Sequence, residues 1–249
     1  MTGDGIFVCG YQNKNSERVQ ISNCNIYNNR RQGISVTSVD KINIYENEIH
    51  DIEGTWPQSG IDLEADDTQH LINNVKIYGN KFYEFKGKNA IICSKMVQNV
   101  EIYENEIKNS NIYVLDIKES CTIARNTMQN SNINIKKETN KTIKLIRIEQ
   151  NNLQNSTIEN NAAEDILILT NKIYGKILSE NSNIAICNNE ISFENNAIEL
   201  TNNEENQEYY AYIVQNNING VSNCKIQNSN DSIHLYTEES DLKEYFKKF

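Results

Sequence analysis

The chain has 249 residues, of which 42 are Asn, ten Gly and one Pro, and it carries a formal net charge of −10. An acidic surface disfavours nucleic acid and anionic membranes as partners, because phosphate binding needs a basic face. No stretch of 18 apolar residues is present to cross a membrane. A mean hydropathy of −0.65 would suit a disordered chain, but the apolar residues fall at fixed spacing, so what is expected is a thin core.

Residues 5–8, Gly-Ile-Phe-Val, read as a first short strand, with Asp4 just before it. The phrase Val19-x-Ile21-x-x-Cys24-x-Ile26 follows. It recurs at 42–49, 75–82, 100–107, 121–128, 146–153, 166–173, 184–191 and 211–218, at intervals of 18 to 33 residues, with Asn in place of Cys24 in every later copy. Apolar residues two apart share one face of a strand, so each phrase reads as two strands joined at a bend. The Asn is expected to occupy that bend, since it tolerates left-handed backbone angles, and its amide to bond the next copy in a ladder. Further strands lie between phrases at 33–36, 60–63, 90–93 and 113–115. Three parallel strands per coil, repeated at such intervals, predict an all-β right-handed parallel β-helix of about ten coils. It would occupy residues 1–239, with a helical cap of the same domain over 240–249. There Leu242, Tyr245, Phe246 and Phe249 form one stripe at i, i+3, i+4, i+7, suited to sealing the last coil.

At the N-terminus no such cover is visible. The first coil is therefore expected to be covered by upstream sequence, by an N-terminal partner or by a neighbour in a homotrimer. The opening residues lack the charged and apolar regions of a secretory signal. None of the six cysteines forms a Cys-x-x-Cys pair, which predicts free thiols in preference to disulfides or zinc.

Charge and aromatic side chains gather on the first three coils. Asp62 falls between the inward Ile61 and Leu63, so it points outward beside Ser35 and Phe7 of the earlier coils, and Arg31 should flank Asp4. The segment from His50 to Ser59 carries Trp56 and the single proline, Pro57, and could fold over the same face. Paired carboxylates serve glycoside hydrolysis. An acidic cluster holding calcium, with an arginine nearby, instead suits β-elimination beside a uronate. The candidate catalytic residues are Asp4, Arg31, Asp62 and Glu64. Arg30, His50 and Trp56 are candidates for binding substrate, and Asp66 and Asp67 for a calcium ion. The partner these choices imply is a polysaccharide, and the other reading is a stiff structural or adhesive spike without catalysis.

The runs Gly3-Asp4-Gly5-Ile6, Asn28-Asn29-Arg30-Arg31-Gln32-Gly33-Ile34-Ser35 and Gly54-x-x-Pro57-x-x-Gly60-Ile61-Asp62-Leu63-Glu64 resemble pectate-lyase-like right-handed β-helix proteins. Similar proteins are found among phage and prophage tail proteins and polysaccharide-degrading enzymes. The resemblance implies a carbohydrate-facing module, often part of a trimeric spike, outside the cell or on a virion. The Asn-Thr-Asp, Gly-His-Gly and Arg-Ile-Lys signatures of polygalacturonases are absent, as are the Asp-Pro-His-Glu of alginate epimerases and the Trp-x-Asp-His of pectate lyases. No catalytic set is carried over from those families.

Overall fold

A computed structural model describes residues 3–12, 14–66, 70–137, 143–193, 197–204, 207–219, 224–228 and 233–247. Each phrase forms two strands, as in Val39–Tyr45 followed by Glu48–Ile52. The strands of successive coils pair in parallel, Ile42 with Val75 and Ile49 with Phe82. The strand between phrases does the same, running Ile34, Ile61, Ile91 and Ile112 from coil to coil. The result is an all-β parallel solenoid of three sheets with ten, ten and nine strands. Its core is a column of inward aliphatic side chains, mostly isoleucine and wholly buried, of which Ile44, Ile77, Ile102 and Ile123 form one row.

The asparagine amides stack as a ladder. Asn126 Nδ2 donates to Ile102 O at 2.9 Å and to Asn151 Oδ1 at 3.0 Å, and the same pair of bonds recurs at Asn47, Asn80, Asn105, Asn151, Asn171 and Asn189. Cys24 begins it, its backbone N–H bonded to Asn47 Oδ1 at 3.0 Å. Outside the ladder, Tyr45, Tyr78 and Tyr103 stack with ring centroids 5.0 and 4.9 Å apart.

The bend differs from expectation. The left-handed residue is the one before the ladder asparagine: Glu46 (φ 53°), Gly79 (64°), Glu104 (57°), Arg125 (53°), Gln150 (57°) and Thr170 (54°). The ladder residue has to aim its amide along the stack axis, so the turn falls on its neighbour whatever that neighbour is. A β-branched residue with positive φ is strained by roughly 1–2 kcal/mol. Thr170→Gly is therefore expected to raise the unfolding free energy by about 1 kcal/mol in urea titration, whereas the same change at Gln150 should bring less, since Gln is not branched at Cβ.

The C-terminal helix, Glu239–Phe246, also departs from expectation. Its buried Leu242 and Tyr245 pack on Leu167, Ala185, Cys187, Tyr212 and Val214, which are outward positions of the second sheet. Tyr245 lies over Tyr212 with centroids 4.5 Å apart, and its hydroxyl donates to Asp165 Oδ1 at 3.1 Å. The described part of the stripe thus packs on an apolar flank of the stack, where Tyr236 of the last strand, Ile233–Tyr236, joins it; Phe249 lies outside the described residues. Cys9, Cys24, Cys93, Cys121 and Cys187 are free thiols. Burial pushes Cys93 up and Cys121 up to about 12, which makes both inert as nucleophiles.

Candidate functional site

Asp62 sits on the strand Ser59–Glu64, flanked by Ile61 and Leu63, both fully buried on the core side. It therefore faces outward, aligned with Ser35 on the preceding coil and Ile92 on the next. Despite that direction Asp62 is only 5 % exposed. Gln32 Nε2 donates to Asp62 Oδ2, and Trp56 and Pro57 line the same groove.

Local chemistry sets the loop that carries Trp56. Thr55 N donates to Arg30 O at 2.7 Å, and Asn89 Nδ2 donates to Pro57 O at 2.9 Å, which fixes both ends. Gly54, at φ 136°, is required there: a Cβ would lie 2.6 Å from Arg30 Cγ. The Trp56–Pro57 peptide is cis. Trp56 remains 72 % exposed at the edge of a groove of about 490 Å³, which runs over Asp62, Glu64, Ile92 and Tyr113 to Lys136 and Lys137.

Burial pushes the Asp62 carboxyl up to about 7, and the Glu64 carboxylate on the same strand adds to the effect. Arg31 opposes it, Asp4 adds to it and Lys95 opposes it more weakly. A carboxylic acid still protonated near neutrality can donate a proton, which an ordinary aspartate cannot do there.

The other candidate residues are divided between this groove and elsewhere. Arg31 Nε bonds Asp4 Oδ1 at 3.0 Å, so the pair forms, and among the described residues its hydrogen bonds reach Asp62 through Gln32. Glu64 is ion-paired with Lys95. Arg30 is exposed and serves the loop through its carbonyl and its contact with Gly54. His50 is not in the groove. It belongs to the strand Glu48–Ile52 of the third sheet, stacked between Tyr27 at 5.2 Å and Tyr83 at 4.8 Å, with Nδ1 2.6 Å from Asp51 Oδ2. Asp66 is exposed, and Asp67 lies outside the described residues. Among the described residues no group of three or more His, Cys, Asp or Glu side chains is arranged to hold a metal ion.

Sequence reasoning misses Gln32, Lys95, Tyr113 and Lys136. Gln32, Ser59 and Asn89 are register partners at one corner, and that shared position one residue before Gly33, Gly60 and Ala90 is the available signal. A second recess of about 400 Å³ lies on the second sheet beside Tyr103 and Arg125. Its cations are already paired, Lys76 with Glu101 at 3.2 Å and Arg125 with Glu104 at 2.8 Å. The groove over Asp62 holds a buried carboxyl under an exposed tryptophan, so it is the better candidate.

A family model described as right handed beta helix region matches residues 4–162, a span that includes the whole groove. No curated protein and no solved structure matches the chain.

Proposed function

The chain belongs to the right handed beta helix region family, and on that premise we propose that it binds a polysaccharide along the Trp56–Lys136 groove and hydrolyses it. The observation that carries this reading is the Asp62 carboxyl, held up to about 7 beside a second carboxylate under an exposed tryptophan. Protonated Asp62 gives its proton to the glycosidic oxygen as the bond from that oxygen to the anomeric carbon breaks. Glu64 takes a proton from the water whose oxygen bonds the anomeric carbon. Solvent then returns a proton to Asp62 and removes one from Glu64, so one water is consumed per bond. Trp56 offers a face for a sugar ring, and Lys137 lies at the far end of the groove beside Lys136, which is ion-paired with Glu159 at 3.2 Å. The resemblance of residues 3–64 to pectate-lyase-like β-helices supports a saccharide as the ligand.

A second reading, a saccharide-binding or adhesive module without cleavage, is favoured by the pairing of Glu64 with Lys95 and of Arg31 with Asp4. In that reading the charges rigidify a binding face. Incubating the full chain with neutral and acidic polysaccharides and assaying new reducing ends separates the two. Asp62→Asn is expected to lose roughly 10²–10⁴-fold in kcat by removal of the acid, and Trp56→Ala to raise KM more than it lowers kcat. Retention of polysaccharide that depends on Trp56, with no new reducing ends, favours the module.

A further inference from the structure

Gln32 is 1 % exposed, and its side-chain amide bonds in two directions. Its Oε1 accepts from Arg31 Nε at 3.2 Å and Arg31 Nη2 at 2.9 Å. A guanidinium only donates, so the oxygen end of the amide must face Arg31. The NH₂ end is then the one directed at Asp62 Oδ2. Arg31 is fixed in turn by Asp4 at 3.0 Å. The amide orientation, often ambiguous for glutamine, is settled here by the chemistry of its partners.

An NH₂ group cannot accept, so Asp62 Oδ2 must be the acceptor in that bond. A proton on Oδ2 would weaken that oxygen as an acceptor, so it is favoured on Oδ1, which has no hydrogen-bond partner among the described residues. We propose that Gln32 is a positioning residue for the groove's acid: with Asp4 and Arg31 holding its amide, it favours the exchangeable proton of Asp62 on Oδ1. The charged groups facing Asp62 are Glu64 on its own strand, Arg31 and Asp4 from the N-terminal side, and Lys95 beyond the next strand. Only Gln32 among the described residues bonds its carboxyl directly. This inference rests on reading Asp62 as the proton donor of the groove, but its test does not need turnover.

The test is carboxyl carbon NMR titration of the full chain with ¹³C-labelled aspartate, the Asp62 signal assigned by its loss in Asp62→Asn. Gln32→Met keeps the length of the side chain and removes the donor that stabilises the charged carboxylate. It is expected to move the Asp62 midpoint up by about one pH unit, an about tenfold change in proton affinity, and to carry the alkaline limb of kcat/KM with it. Gln32→Glu, which keeps a partner for Arg31 if the methionine variant fails to fold, should move the midpoint up as well. An unmoved midpoint in a folded variant overturns the proposal and leaves Gln32 a packing residue. A moved midpoint in a chain that cleaves no polysaccharide would sustain the positioning role while sinking the hydrolase reading.

Discussion

Asn126→Ala is expected to lower the unfolding free energy by about 4 kcal/mol, since buried polar groups left unpaired cost roughly 1–3 kcal/mol each. Asn126 is 1 % exposed and sits in the middle of the ladder. Its side chain satisfies Ile102 O at 2.9 Å and accepts from the Asn105 backbone N–H and Nδ2, both at 3.0 Å. Alanine leaves Ile102 O and Asn105 N without partners in a corner closed by the coils on either side. Asn126→Asp should be worse, because it sets a carboxylate oxygen against Ile102 O and Asn151 Oδ1 and buries a charge. The opposite change at the ladder's start makes a control. Cys24→Asn would supply an amide able to reach Asn47 Oδ1 as Asn47 Nδ2 reaches Asn80 Oδ1 at 3.0 Å, a gain of about 1 kcal/mol for a net hydrogen bond. Urea unfolding of the three variants measures all of this. A loss below about 1 kcal/mol for Asn126→Ala would mean that water replaces the ladder bonds, and that the isoleucine column alone holds the coils in register.

The arrangement of the core is legible in the sequence because alternation leaves so little choice. Ile42 and Ile44 cannot both turn outward without exposing a whole row, so the repeated phrase dictates three inward columns. The outward direction of Asp62 follows from the same rule applied to Ile61 and Leu63. Features at corners are not legible, because alternation stops there. Gly33 lies where a Cβ would strike Ile49 Cγ2 at 2.7 Å, on the core side, next to the equally inward Ile34. Two consecutive inward positions turn Gln32 outward toward Asp62, where strict alternation from Ile34 would bury it inward. The asparagine bend escapes sequence reasoning for a related reason. Propensity favours Asn in left-handed backbone, but a side chain that must stack on its counterpart in every coil cannot also make the turn.

Nearness in sequence to Trp56 points His50 toward the groove, and register overrules it. His50 pairs with Tyr83 and Tyr27 with His50, which puts it on another face of the prism. The flank position of the helix does leave a trace in the sequence. Ile166-Leu167-Ile168-Leu169 is apolar on both faces of its strand, where most other phrases carry a polar outward residue. A strand apolar on both faces needs cover on both, and the Leu242–Tyr245 stripe supplies it on the outer side.

The same placement that suits Asp62 to proton donation makes it a liability to the fold at high pH. Its carboxyl is raised from the ordinary 3.8 to about 7, chiefly by burial. Between those values the folded chain holds a proton that the unfolded chain has lost, so stability falls as pH rises across that window. Below pH 4 Asp62 is neutral in both states and costs nothing; above pH 7 it is charged in both, and the penalty is complete. A window about three pH units wide corresponds to about 4 kcal/mol, at about 1.4 kcal/mol for each pH unit. Asp62→Asn stays neutral throughout and can still accept the Gln32 bond through its amide oxygen. Measured by urea unfolding at pH 4 and pH 8, the variant should therefore gain about 4 kcal/mol relative to the natural chain on going from the lower to the higher pH. Parallel pH dependence in the two chains would show that Asp62 ionises at its ordinary value, and the groove would then lack a proton to give at neutrality.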